Sequence, residues 1–205
     1  MIKPILTALA LTLLTPLALA QSTTADDAEA FVQNQANQVI ETLTELNAGQ
    51  TDLPTVQAEF RERIDALADV DRISNFVLGR YRRTASEDEL NAFRNAFRTY
   101  AIGVYESELS TYAGQQLDVT GSVTRNPGDY IVRSRVYGGP NNEEFEVNWR
   151  ILESDGELKA VDVEVLGVWL AQTQREQILA VIGDNRGDVS AATSMLRNRQ
   201  AGEDA

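Results

Sequence analysis

The clearest pattern in the chain lies between Glu143 and Leu170. Phe145, Val147, Trp149 and Ile151 alternate with Glu144, Glu146, Asn148 and Arg150, the two-residue period of a half-buried strand. Asp155-Gly156 then predicts a two-residue hairpin turn, because such a turn needs positive φ at both central residues. The return strand sets Val161, Val163 and Val165 on one face and Asp162 and Glu164 on the other. Gly167 reads as the end of that strand, and Val168-Trp169-Leu170 as the entry into a helix. Upstream, Leu117, Val119 and Val123 alternate with Asp118, Thr120 and Thr124. After the turn Asn126-Pro127-Gly128-Asp129, Tyr130, Val132 and Val136 alternate with Arg133 and Arg135. Four consecutive strands joined by short turns predict an antiparallel meander. One of its faces is apolar and should be covered. The other, with Glu144, Glu146, Asp162 and Glu164, should meet water.

The rest of the chain follows a helical period. Phe31, Val39, Ile40, Leu43 and Leu46 share one side of a segment that starts near Asp26 and stops at Asn47-Ala48-Gly49. Asp52 caps the next helix, with Pro54 tolerated in its first turn and Val56, Phe60, Ile64 and Leu67 along its apolar stripe. Asp71 to Gly79 reads as a short helix. Ser86 and Glu89 form a capping box, each satisfying an N–H at the helix start. The helix they open runs to about Tyr112, with Leu90, Phe93, Phe97, Tyr100, Val104, Tyr105 and Leu109 as its stripe. Two more helices, Leu170 to about Ile182 and about Asp188 to Arg199, close the chain. Helices, then a meander, then helices give an α+β class: a four-stranded antiparallel meander wrapped on one face by helices.

Residues 1–20 differ from the rest. Lys3 is their only charge, Ile5 to Leu19 is nearly all apolar, and Ala18-Leu19-Ala20 is a small-x-small cleavage site, so the segment reads as a secretory signal peptide. Residues 21–199 then form a single domain and residues 200–205 a disordered tail. The formal net charge is −13, and −14 once Lys3 is removed. Such a surface disfavours nucleic acid, since phosphate neutralisation needs basic groups.

The chain has no Cys and no His, which removes imidazole-based triads and imidazole metal sites. No phosphate loop, dinucleotide fingerprint or zinc pattern is present, and no catalytic or metal-binding residue is assigned. The acids Glu143, Glu144, Glu146, Glu153, Asp155, Glu157, Asp162 and Glu164 face only Arg150 and Lys159 within the central hairpin. They read as a solvated sheet face ahead of a docking surface for a basic partner. Arg80, Arg82 and Arg83 cluster beside Phe76-Val77-Leu78, either as a solvated helix end or as contacts to an anionic head group or acidic partner. The aromatic stripe and the inner strand residues suit a solid core and a hollow one equally, because periodicity does not separate them.

Several stretches together resemble the MlaC family, also called the Ttg2D or toluene-tolerance family. They are Val77-Leu78-Gly79-Arg80-Tyr81, Phe93 with Phe97, Tyr105 and Leu109 with Tyr112, Asp155-Gly156, Lys159, Asp162-Val163, Val165, Gly167-Val168 and Arg175. Arg82, Leu158, Gln174 and Val189-Ser190-Ala191 depart from the family pattern. The resemblance implies a nuclear-transport-factor-like fold with an internal apolar cavity. It implies a periplasmic phospholipid carrier that is not an enzyme and has no cofactor. As a monomer, it would shuttle lipid between an outer-membrane lipoprotein complex and an inner-membrane lipid ABC transporter, so maintaining outer-membrane lipid asymmetry.

On that reading Phe76, Val77, Phe93, Phe97, Tyr100, Val147, Trp149, Val163, Val165 and Val168 line the lipid site, and Arg80, Arg82 and Arg83 contact the head group or a partner. Ligand pockets run from about 300 to about 1,000 Å³, and a diacyl lipid should need the top of that range or more. Two alternatives stay open: a nuclear-transport-factor-like enzyme using Tyr or carboxylates in the same cavity, and an envelope interaction module with a solid core and no lipid.

Overall fold

A computed structural model of the chain describes residues 23–109, 112–140 and 143–202. The expected leader, residues 1–20, lies outside the described residues, as do Glu203 to Ala205 of the expected tail. The element order is α1 (Ala25–Asn47), α2 (Leu53–Leu67), α3 (Val70–Leu78), a 3₁₀ turn (Gly79–Arg83) and α4 (Glu87–Leu109). There follow β1 (Gln116–Asn126), β2 (Asp129–Tyr137), β3 (Phe145–Ser154), β4 (Glu157–Val165), β5 (Val168–Trp169), α5 (Leu170–Asp184) and α6 (Val189–Ala201). The strands form one antiparallel sheet in sequence order.

Local chemistry sets these boundaries. The Asp52 carboxylate accepts the N–H of Thr55 at 2.9 Å and starts α2. Asp69 does the same for α3 through the N–H of Arg72 at 2.9 Å. Ser86 and Glu89 make the reciprocal bonds of the capping box. Asp155 and Gly156 sit at φ 55° and 81°, as a two-residue hairpin turn requires. The same device recurs where the sequence suggests only a strand end. Leu166 and Gly167 take φ 51° and 82°, and Val168 turns back to pair with Val165 as a fifth, two-residue strand. At the C-terminus, α6 takes in Gln200 and Ala201 and ends on Gly202 in the left-handed conformation, so the helix extends into the expected tail.

Two bulges shift the faces that simple alternation assigns. Thr120 is the extra residue between the pairs Val119↔Ser134 and Gly121↔Arg133. Beyond it the phase of β1 reverses: Val123 turns outward and is 51% exposed, while the Ser122 hydroxyl donates to Glu29 of α1 at 2.6 Å. In β4, Val161 is the extra residue between Ala160↔Ile151 and Asp162↔Arg150. A bulge puts two residues opposite one and restarts the alternation. Ala160, Val163 and Val165 therefore share the covered face.

The outer face is not the one-sided acidic surface read from the hairpin alone. Strand β2 brings Arg135 opposite Glu146 and Asp118, and its guanidinium lies 3.4 Å from Glu144 and 3.7 Å from Asp118. Arg150 bonds Asp129 at 3.0 Å. Opposite charges across strands make this a solvated, locally neutralised face.

The helices cover the inner face in two ways. Helix α1 packs on β1 and β2, where Ala28, Val32, Tyr130, Val132, Ile151 and Ala160 form one buried cluster. Its Gln33 side chain also pairs with the edge of β1, donating to the Leu117 carbonyl at 3.0 Å and accepting from the Val119 N–H at 2.8 Å. Helices α3 to α6 form a second, solid cluster around Leu78, Phe93, Ile178, Ile182 and Leu196. Helix α2 spans the gap between these two bodies.

Candidate functional site: an apolar cavity

Between α1, α2, α4 and the inner face of the sheet lies a cavity of about 730 Å³. Its wall is almost wholly apolar. Val39 and Ile40 come from α1, Phe60, Ile64 and Leu67 from α2, Ile73 from α3, Phe97, Tyr100 and Ile102 from α4, and Val136, Val147, Trp149, Val163 and Val165 from the sheet. Many of these keep partial solvent exposure because they face the hollow and not one another. Trp149 meets the wall without an orphan donor: its indole N–H bonds the Ser134 hydroxyl at 2.9 Å, and that hydroxyl, 1% exposed, donates to the Val147 carbonyl at 2.8 Å.

Six of the ten residues expected to line the site are on this wall: Phe97, Tyr100, Val147, Trp149, Val163 and Val165. The other four are elsewhere. Val77 and Phe93 are wholly buried in the solid helical cluster. Phe76 is 40% exposed and lies under the Arg175 guanidinium, 4.9 Å from its ring centroid. Val168 is 49% exposed on β5. The wall contributed by α1 and α2 was not singled out from sequence, although the stripe Phe60, Ile64, Leu67 was visible, because an amphipathic stripe reads the same over a core or a hollow.

The arginine cluster also stands apart from the cavity. Arg80 stacks on Tyr81 and bonds its hydroxyl at 2.9 Å; Arg82 and Arg83 are exposed. None of the three is on the wall.

The wall also carries charge. Arg63, Arg98 and Asp162 are on it. Arg98 forms a two-pronged ion pair with Asp65, tying α4 to α2. Asp162 is half-buried and does not turn to water: its carboxylate accepts the N–H of Ala171 at 2.8 Å and of Val163 at 2.9 Å, capping the start of α5 from the adjacent strand. Burial lifts this carboxyl above the usual carboxylate range, against the pull of those N–H groups and of Arg150. A carboxylate held as a helix cap is a structural group, not a free acid or base. No cluster of three metal-ligating residues occurs among the described residues.

Helix α2 is the outer wall, and it is held at its margins. Only Val56 of α2 is fully buried. Arg61 pairs with Glu106 of α4 at 2.6 Å. The Lys159 ammonium donates to the Ala66 carbonyl at 2.8 Å, satisfying the helix C-terminus. The Asp69 N–H donates to the Ala160 carbonyl at 3.0 Å, fixing the α2–α3 junction to β4. Beside this junction a second, polar groove of about 650 Å³ shares Ala68, Val70 and Arg98 with the cavity.

Comparison with known proteins bears on this geometry. The model of the MlaC protein family matches residues 33–198. The chain belongs to the MlaC family. No curated protein sequence matches it. Among solved structures, it is similar to a phospholipid-binding protein from Ralstonia solanacearum in complex with a phospholipid. The identity is 25%, the TM-score 0.75, and the match covers 87% of this chain and 99% of that one. The α+β fold, with an antiparallel sheet packed by six helices, is therefore an MlaC fold. Two features of the fold explain stretches by which the resemblance was read. Gly79, at φ 54°, lets Arg175 approach the end of α3, where it bonds the Phe76 carbonyl; a Cβ at residue 79 would lie 2.8 Å from that guanidinium. Lys159 is the C-terminal clamp on α2. MlaC proteins are not enzymes, so the alternative of a catalytic cavity is set aside.

Proposed function

We propose that this protein is a periplasmic phospholipid carrier, working as a monomer between an outer-membrane lipoprotein complex and an inner-membrane lipid ABC transporter. The observation that carries the reading is the apolar cavity of about 730 Å³ in a chain of the MlaC family. Exposing each methylene of an acyl chain to water costs about 0.8 kcal/mol, so a carrier needs an apolar compartment and few specialised polar groups. The volume is below the size expected for a fully enclosed diacyl lipid. The cavity opens to the surface, which suits a ligand whose chains are inside and whose head group is at the rim. In this account Phe97, Tyr100, Val147, Trp149, Val163 and Val165 meet the chains. Arg82 and Arg83, exposed and off the wall, suit partner contact better than head-group contact. With these cargo and partners, the work of the protein is to maintain outer-membrane lipid asymmetry.

The test is transfer. Donor vesicles carrying a labelled phospholipid and unlabelled acceptor vesicles of different density are mixed with or without the protein and then separated. A carrier speeds the appearance of label in the acceptors in proportion to its concentration. Label that moves no faster than in its absence would refute the reading.

A further inference from the structure

Apolar packing between α2 and α4 is concentrated at one end of their seam, where Val56 and Leu109 share a buried cluster with Leu43 of α1. Further along, the closure is ionic. The Arg61 guanidinium meets Glu106 with Nε 2.6 Å from one carboxylate oxygen and Nη2 3.0 Å from the other. One turn on along α2, Asp65 takes both prongs of Arg98. Phe60, Ile64 and Phe97, the residues just before Arg61, Asp65 and Arg98, are on the cavity wall. The two ion pairs therefore lace a seam whose inner side is hydrocarbon.

Such a seam can part at small cost. Separating two helices of a solid core exposes matched apolar surface, and the loss grows with the area. Here the apolar side chains already face a hollow. The ion pairs add little resistance, because water can solvate both partners as they separate; the side chains of Arg61, Arg98 and Asp65 are already 50%, 40% and 51% exposed. The ends of α2 are pinned, by the Val56 cluster on one side and on the other by the Asp69 N–H bond to the Ala160 carbonyl. The part free to bow outward is the middle, where the two pairs are. A side opening also suits the cargo. A lipid drawn from a bilayer leaves head first with its chains behind, and turning them through water to thread a mouth exposes every methylene. A slit along the cavity admits a chain sideways.

We propose that the α2–α4 seam is the doorway of the cavity, a lateral slit latched by Arg61–Glu106 and Arg98–Asp65, whose parting lets acyl chains in and out. This rests on the carrier reading and goes beyond it, assigning the route of the cargo and the groups that hold it shut. It gives α2 the role of a gate, and its charges the role of a latch.

The chain has no cysteine, so cross-links can be placed at chosen pairs. Arg61→Cys with Glu106→Cys is joined across the seam by a short bis-maleimide. Gln177→Cys with Arg199→Cys is the control, at a 3.0 Å hydrogen bond between α5 and α6 in the solid body. Each protein is assayed for transfer of labelled phosphatidylglycerol between vesicles, before and after linking, with a thermal melt. Linking the seam should slow transfer by roughly tenfold or more, as when a gating motion is blocked, and should trap lipid already inside. Linking the control should leave the rate unchanged. In chains without cysteine, Asp65→Asn with Glu106→Gln releases both latches and should speed transfer by about fivefold or more, the scale of exposed ion pairs. The swapped pair Arg61→Glu with Glu106→Arg should transfer at the wild-type rate.

A linked seam that transfers as fast as the unlinked one overturns the assignment. So does equal slowing in the α5–α6 control, since the effect would then belong to cross-linking and not to the seam. If the seam cysteine pair does not fold, an unchanged rate in Asp65→Asn with Glu106→Gln overturns it instead. Wild type that transfers no lipid overturns the carrier reading itself.

Discussion

Two halves of this molecule use the same kind of residue to opposite ends. In the body formed by α3 to α6, Leu78, Phe93, Ile178, Ile182 and Leu196 interdigitate with essentially no exposure. Under α1 and α2, equally apolar residues surround a hollow of about 730 Å³. The boundary runs through α4. Phe93 and Phe97 are one turn apart with ring centroids 5.9 Å from each other, yet only Phe97 reaches the cavity. Composition does not decide between filling and hollow. The elements opposite decide it: α6 presses directly on α4, with α5 packed behind on α3 and α6, whereas α2 is held off by ion pairs and backbone bonds along its margins. Interiors are normally close-packed, so a hollow persists only where such edge contacts support it.

The largest contrast should come from introducing a carboxylate on each side of that boundary. Val77→Glu buries a charge in the solid cluster, where residue 77 is 0% exposed. It should cost several kcal/mol, enough to unfold a marginally stable domain. Val163→Glu puts the same group on the cavity wall, where water can enter. Its melt should persist while bound lipid is lost, with Glu164→Gln as a neutral control. Equal melting losses for the two Glu variants would erase the distinction between the halves.

Truncation should show the same asymmetry at smaller scale. Phe93→Ala should cost about 3–5 kcal/mol, as large-to-small changes in packed cores do. Phe60→Ala, on a wall that already faces space, leaves less new cavity behind and should cost clearly less than Phe93→Ala, read by denaturant midpoints.

Gly79→Ala tests the close contact between the end of α3 and Arg175 of α5. The new Cβ meets the Arg175 guanidinium, and the positive φ adds strain, together about 1–3 kcal/mol. In an Arg175→Ala background the penalty should fall without vanishing, because the backbone strain remains. Full additivity of the two changes would mean that the contact has no weight.

The smallest effect has the opposite sign. Leu166 holds a left-handed φ of 51° while 76% exposed. Asn tolerates that conformation better. Leu166→Asn should therefore stabilise the fold by up to about 1 kcal/mol, seen as a raised melting temperature with lipid content unchanged.

Much of this architecture was legible from the chain. The Asp155-Gly156 turn, the Asp52 cap, the Ser86–Glu89 box and the two-residue alternation each rest on local chemistry, and local chemistry is written in neighbouring residues. The bulges at Thr120 and Val161 were not legible. Nothing in either residue marks an insertion; the partner strand creates it, and with it the outward turn of Val123. The fifth strand was missed because Leu is an unusual occupant of a positive-φ turn position. The site was half legible for a similar reason. Spacing shows which face of a helix is apolar, but the distance to the facing element is a property of the assembled fold. Val77 and Phe93 therefore read like Phe97, and Phe60 and Ile64 read like plain core.

Mass spectrometry under native conditions, on protein purified without detergent at any stage, tests the central claim most directly. The account predicts that wild type flies with the added mass of phospholipid, and that Val163→Glu, still folded, flies without it. Wild type at its bare polypeptide mass, or a folded Val163→Glu protein that keeps its full complement of lipid, would contradict it.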